Sequence, residues 1–346
     1  MKKIFLTAAL ASVALVGCVT DESLVDAIQK DSEIKFVAAN YAAQTRAEHD
    51  ALTFTNSDYT VWAWQNGEDD AHMNGVKVTY TGGTSAVDGT YYWPNYALDF
   101  AATSPDGDDR ISLTRSGGTS TITFTFDDTN PNETTTNLMY ADFVESQFYD
   151  KDTNTGTPTV ALLFRHVLAK LNVKVHQQNP DPIPTGITSY SVVVKSLSFV
   201  DMLCEGSLTV KEGVYDGKTQ NYLWDPATSP TTKADWAIIS SDQSLATDFN
   251  TSANYFVMPQ TIPADATLNI EYTVTTTFDN STTSTKQYTK NVALNTITDG
   301  SAAITEWKTN KNITYTINIK PADLGIISFT VQEEEMGTIG GTHTFQ

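Results

Sequence analysis

Residues 164–175 read Phe164-Arg165-His166-Val167-Leu168-Ala169-Lys170-Leu171-Asn172-Val173-Lys174-Val175, and this stretch decides the fold. Val167, Ala169, Leu171, Val173 and Val175 alternate with Leu168, Lys170, Asn172 and Lys174. A period of two sends the two sets to opposite faces of a strand, so this is a half-buried strand with polar groups mostly outward. Ile122-Thr123-Phe124-Thr125-Phe126, Ser191 to Phe199, Leu268 to Thr275 and Ile313 to Ile319 behave similarly. Threonine, valine and the aromatic residues dominate these runs, and strong helical periodicity is scarce along the chain.

Turn signals separate the runs: Gly82-Gly83, Asp106-Gly107, Gly117-Gly118, Asp216-Gly217 and Asp299-Gly300. Many short strands with frequent turns imply an all-β chain built from sandwiches. With 346 residues, two domains are expected. Gln177-Gln178-Asn179-Pro180-Asp181-Pro182-Ile183-Pro184 is the best linker, because its prolines interrupt any ladder. The expected domains are therefore residues 47–180 and 181–346. Ahead of them, Leu24, Val25 and Ile28 share one face of a brief helix, and Ile34, Phe36 and Ala38 begin a strand pattern just before Arg46.

The leading residues carry a targeting signal. Lys2 and Lys3 precede an apolar run from Ile4 to Val16, the length of a signal-peptide core and too short to span a bilayer. Leu15-Val16-Gly17-Cys18 then forms a lipobox. Residues 1–17 are expected to be removed and Cys18 to be acylated. Several acyl chains anchor far better than one, since each buried CH₂ contributes about 0.8 kcal/mol. Residues 18–46 would be a tether plus a removable first strand. Cys204 is the only other cysteine, so the chain has no disulfide framework and must rely on its core.

The formal net charge is −20. Basic and acidic groups balance up to Arg46, so the whole excess lies beyond it. Such a surface repels nucleic acid and anionic headgroups and keeps an exported protein soluble.

Signals for chemistry are weak. Asp150-Lys151-Asp152-Thr153-Asn154-Thr155-Gly156 offers oxygen donors at alternate positions. Its glycine falls one place late and Ala161 stands where a calcium loop needs glutamate, so a solvated loop is the expectation. Asp106, Asp108 and Asp109 form a second acidic turn of the same kind. His49, His72, His166, His176 and His343 show no zinc spacing, and no metal site is expected. No G-x-S-x-G elbow, phosphate loop or dinucleotide fingerprint occurs, so no catalytic residue and no cofactor is assigned. Trp62, Trp64, Tyr91, Tyr92, Trp93 and Tyr96 could stack on a sugar, but aromatic residues at period two more often form one buried face.

Five features in order resemble the fimbrillin family, the subunits of type V pili of Gram-negative anaerobes. They are the lipobox at Cys18 with its tether; Thr45-Arg46-Ala47; the strand from Phe164 to Val175; Trp307-Lys308-Thr309-Asn310-Lys311-Asn312-Ile313-Thr314-Tyr315-Thr316-Ile317-Asn318-Ile319; and Ile326-Ile327-Ser328-Phe329-Thr330-Val331. The chain departs from the family at its end, where Gly340 to Gln346 contains no closing tryptophan.

The resemblance implies two tandem transthyretin-like, Greek-key sandwiches and a structural, non-enzymatic role. It implies export to the outer membrane as a lipoprotein and cleavage after Arg46 by a trypsin-like, arginine-specific protease, leaving Ala47 first. Loss of a strand bearing Ile34, Phe36 and Ala38 would open a groove. A neighbour's terminal segment would fill it with Ile327, Phe329 and Val331, or with Ile339 and Phe345. Strand addition of this kind draws affinity from main-chain hydrogen bonds and register from alternate side chains. The implied partners are other pilus subunits, joined head to tail into a cell-surface fimbria that supports adhesion. An anchor or tip subunit, a non-polymerising glycan-binding lipoprotein and a secreted all-β hydrolase are the alternatives.

Overall fold

The computed structural model describes residues 32–40, 58–127, 136–213, 224–226, 232–246, 248–250, 255–298, 302–323 and 326–336. Helical structure among them is confined to two 3-10 turns, Leu294–Thr296 and Pro321–Asp323. Everything else that is regular is strand.

The first unit is built on a large sheet. Its strands are β1 (Lys35–Asn40), β2 (Asp58–Gln65), β3 (Ala71–Thr81), β4 (Thr84–Val87), β5 (Leu98–Ser104), β8 (Met139–Ala141) and β9 (Thr159–His166). They lie in the order β1-β9-β8-β5-β2-β3-β4. The sheet curls until β1, at one end, approaches β4 at the other. Inside the curl sit Ile34, Phe36, Tyr59, Val61, Met73, Val78, Phe100, Leu162 and Phe164. Alternation decides which side chains enter. On β2, Tyr59, Val61 and Ala63 point inward, which sends Thr60, Trp62 and Trp64 to the other face.

That outer face is covered by a second sheet of β6 (Ile111–Ser116), β7 (Thr119–Asp127) and β12 (Glu205–Lys211). Strand β5 lies inside the large sheet, between β8 and β2, and is buried along its whole length. Arg115 joins the layers. Its guanidinium meets Asp99 at 2.7 Å and Glu212 at 3.3 Å, donates to Ser120 Oγ at 2.9 Å and to the Glu68 carbonyl at 2.7 Å, and rests 4.7 Å from the Trp64 ring centroid. The neighbouring turn needs glycine: Gly118 has φ +72°, and a Cβ there would sit 2.4 Å from the Gly67 carbonyl oxygen.

The second unit is a sandwich of two sheets. One holds β10 (Ala169–Gln177), β16 (Lys311–Lys320) and β17 (Ile326–Glu335); the other holds β11 (Ile187–Leu203), β13 (Lys233–Ile239), β14 (Thr267–Phe278) and β15 (Thr283–Ala293). Leu171, Val173 and Val175 face Val192, Val194, Leu268 and Ile270 across the core. On β11 the inward set runs 192, 194 and then 197, 199, because a bulge between Val194 and Ser196 inserts Lys195 and shifts the parity. Phe199, Trp236, Trp307 and Tyr315 form an aromatic centre, in which Trp307 Nε1 donates to Tyr315 Oη at 2.9 Å.

Both units lay their first strand parallel to a late one, β1 along β9 and β10 along β16. A third cluster occupies the junction, where Phe124, Leu138, Val167 and Leu168 meet Trp224, Phe256, Met258 and Met336.

The cores do not divide at residues 180 and 181 as expected. Strand β10 belongs to the second core, so the chain passes from one unit to the other at Val167-Leu168. Strand β12 then returns to pair with β7 in the first unit. The prolines at 180–184 mark a loop between β10 and β11, inside the second unit. A proline-rich run reports only that a ladder stops, not which core its flanking strands join.

Candidate functional site

The leading strand lies in a two-sided slot. Along one side, β1 runs parallel to β9, in register from Lys35 opposite Thr159 to Asn40 opposite Phe164. Along the other, residues 32–34 pair antiparallel with 91–93. Ile34 N donates to the Tyr91 carbonyl at 2.8 Å, and Trp93 N donates to the Ser32 carbonyl at 2.9 Å. Trp93 also donates through Nε1 to the Pro158 carbonyl at 3.1 Å, tying the two walls together.

The sequence pattern explains the fit. Ile34, Phe36 and Ala38 project into the core and are 2%, 6% and 6% exposed, whereas Val37 between them is 50% exposed. Phe36 meets Phe100 edge-on at 5.9 Å, and Trp93 approaches the same ring at 5.8 Å. Val160, Leu162 and Phe164 of β9 complete the lining. Burying an isoleucine and a phenylalanine contributes roughly 1.5–3 kcal/mol each, and the alanine less. Residues 32–40 therefore complete the first core from a position ahead of the rest of its strands.

At the other end of the chain, β17 is the last strand of its sheet and pairs antiparallel with β16 from Ile326 opposite Lys320 to Glu335 opposite Lys311. Val331 is 1% exposed in the second core, and Ile327 and Phe329 pack partly buried against it. Met336 enters the junction cluster, its N–H donating to the Asn310 carbonyl at 2.7 Å. Cys18, Arg46, Ala47, Ile339 and Phe345 lie outside the described residues.

The other weighed positions fall apart in space. Trp93 is buried in the slot wall, Trp64 lies under Arg115, and Tyr96 is exposed with its ring against His72. The Asp150 carboxylate accepts from the main-chain N–H of Asp152 at 2.9 Å and from Thr153 Oγ1 at 2.7 Å, so it closes its own loop. Among the described residues, no cluster of three His, Cys, Asp or Glu side chains could hold a metal. His166 is buried at the end of β9 with Nδ1 2.7 Å from Asn137 Nδ2. Burial, with the charge of Lys170, lowers its pKa to about 4. Sequence reading missed 91–93 as a slot wall; its only signal was the aromatic run that had been weighed for sugar stacking.

These features define a class: an all-β protein of two units whose first core is completed by its own leading strand. The chain belongs to the fimbrillin-like family, whose model matches residues 45–333. Solved structures similar to it include a fimbrial protein from Bacteroides vulgatus, at 18% identity and a TM-score of 0.55, covering 88% of this chain and 99% of that one. A candidate cell-adhesion protein from Bacteroides uniformis is also 18% identical, with a TM-score of 0.51 over 88% of this chain and 98% of its own. These likenesses speak for the fold. No curated protein sequence matches the chain.

Proposed function

We propose that the protein is a structural subunit of a type V fimbria, made as a lipoprotein acylated at Cys18. An arginine-specific protease cuts after Arg46, and the trimmed subunit polymerises when a neighbour's terminal segment, drawn from residues 326–346, fills the slot left by β1. The fibre serves adhesion at the cell surface. Family membership supports the fimbrial role. The slot supports the exchange. Its occupant is short, lies ahead of Arg46 in the sequence, and is hydrogen-bonded on both sides while inserting three apolar side chains. Without that occupant the first unit would expose an apolar cleft between two unsatisfied main-chain edges, an unfavourable state in water. A head-to-tail contact of this kind does not close on itself and so yields filaments.

Brief trypsin treatment of the purified precursor tests this. Amino-terminal sequencing should find Ala47, and electrophoresis in SDS should show a ladder of oligomers. A product that is trimmed at Arg46, freed of residues 18–46 and still monomeric would refute polymerisation. Replacing Cys18→Ala should abolish incorporation of labelled palmitate by cells producing the precursor.

A further inference from the structure

We propose that the free edge of β15 is a docking site for an extended acidic segment of a partner protein, which adds to the second unit as a further strand. Carboxylates of that segment meet Lys286 and Lys290, and an apolar side chain between them lies beside Tyr288.

The edge is open. The strands of its sheet run β13-β11-β14-β15, so β15 is the last. It pairs with β14 without a break from Thr283 opposite Thr277 to Ala293 opposite Thr267. Among the described residues no strand pairs with its other side, and most of its residues are exposed. Eleven residues of strand therefore present a row of main-chain donors and acceptors that a further strand can take up. The edge of the facing sheet is different. On β17 the N–H of Val331 already donates to the Thr298 carbonyl, at 3.2 Å.

The side chains select what fits. Lys286, Tyr288 and Lys290 stand opposite Val274, Tyr272 and Ile270, so they share the face turned toward the core. Tyr288 is held in place, its ring stacked on that of buried Tyr272 at 5.4 Å. Both lysines are exposed, and neither makes an ion pair among the described residues. Glu271, the only carboxylate of β14, lies on the outward face and accepts from Gln287. In a molecule of net charge −20 the edge thus carries two unneutralised cations around a fixed ring.

Charge decides between occupants. A second copy of β15 added antiparallel about Tyr288 would set Lys286 directly against Lys290 twice, which is unfavourable. A strand with carboxylates two places either side of an apolar residue puts opposite charges in the same positions. That order reads the same in both directions, so it suits parallel and antiparallel addition alike. Thr283, Thr285, Gln287, Thr289 and Asn291 on the outward face are polar and uncharged, and match hydroxyl-bearing residues at the alternate places.

A fluorescent peptide, Thr-Thr-Glu-Thr-Val-Thr-Glu-Thr-Thr, tests this on the full-length chain. Anisotropy should show saturable binding that weakens as salt rises, and hydrogen exchange should slow at the amides of residues 283–293. Lys286→Glu with Lys290→Glu should weaken binding by about tenfold or more. A peptide with lysine in place of both glutamates should bind that variant and not the unaltered chain, which also shows that the variant folds. An N-methylated form of the first peptide keeps its charge, cannot pair and should not bind. Absence of saturable binding, slowed exchange at another edge, or equal binding of the N-methylated peptide would overturn strand addition at β15. A dimer of the unaltered chain joined through β15, read by sedimentation and by slowed exchange at 283–293, would give the edge to a second copy and overturn the acidic partner. Neither cleavage after Arg46 nor polymerisation enters this test, so it can fail while the fimbrial reading stands.

Discussion

At Arg115 one guanidinium is shared by two carboxylates, a hydroxyl and a main-chain carbonyl, with the Arg115 and Asp99 side chains 3% and 5% exposed. Burial pushes the Asp99 carboxyl up, but Asn66, the Ser146 N–H, Arg115 and the Gly67 N–H together outweigh it and hold the pKa below the usual carboxylate range. Asp99→Ala leaves a buried cation short of a partner, and should lower stability by about 3–5 kcal/mol in urea unfolding. His166 acts in a different pH window. Its folded pKa of about 4 lies below the ordinary 6.5, so the unfolded chain binds the extra proton first. Its contribution is complete above pH 6.5 and is lost as pH falls toward 4, by up to about 3 kcal/mol. A His166→Leu variant should lose less stability than wild type between pH 7 and 4.5, as read from denaturant midpoints. Carboxylates with depressed pKa values, such as Asp99, weaken the fold only at lower pH.

At the scale of the element, β1 and the residue before it complete the first core with Ile34, Phe36 and Ala38. Phe36→Ala in the full-length chain empties the space against Phe100 and should destabilise the first unit by about 3–5 kcal/mol. Amides of β9 should then exchange faster with solvent. Val37→Thr on the exposed face should change stability by less than about 0.5 kcal/mol. This alternation was legible in the sequence, as was that of β10, because a strand with one buried face writes its period directly into side-chain polarity. Strand β11 was not legible in the same way. Its bulge at Lys195 switches the inward set from even to odd positions, and a period-two count cannot carry across that shift. The wall at 91–93 was hidden for another reason: its partner is a segment some sixty residues away, and main-chain pairing leaves no mark on side-chain pattern.

For the whole molecule, net charge governs encounter. Subunits carrying −20 repel one another, and the Debye length shrinks from roughly 30 Å at 0.01 M salt to about 10 Å at 0.1 M. Polymerisation of the trimmed chain should therefore speed up as sodium chloride rises over that range, followed by light scattering. A falling rate would mean that the meeting surfaces are of opposite sign, and an unchanged rate that charge does not limit encounter. The junction cluster gives the molecule its second large-scale property. Val167 and Leu168 from the crossing chain pack with Phe124, Phe256, Met258 and Met336, so apolar contact joins the two units where the chain passes between them.

The sequence by itself determined that the chain is all-β, that its leading strand would turn Ile34, Phe36 and Ala38 one way, and that β17 carries a similar face. These are local properties, fixed by alternation along a few residues. Only the tertiary structure decided that β10 joins the second core, that β12 returns to the first, and that the leading segment pairs with β9 along residues 35–40 and with 91–93 along residues 32–34. Those outcomes depend on which distant edges meet, and the free energy of such meetings belongs to the assembled sheets and not to any one segment.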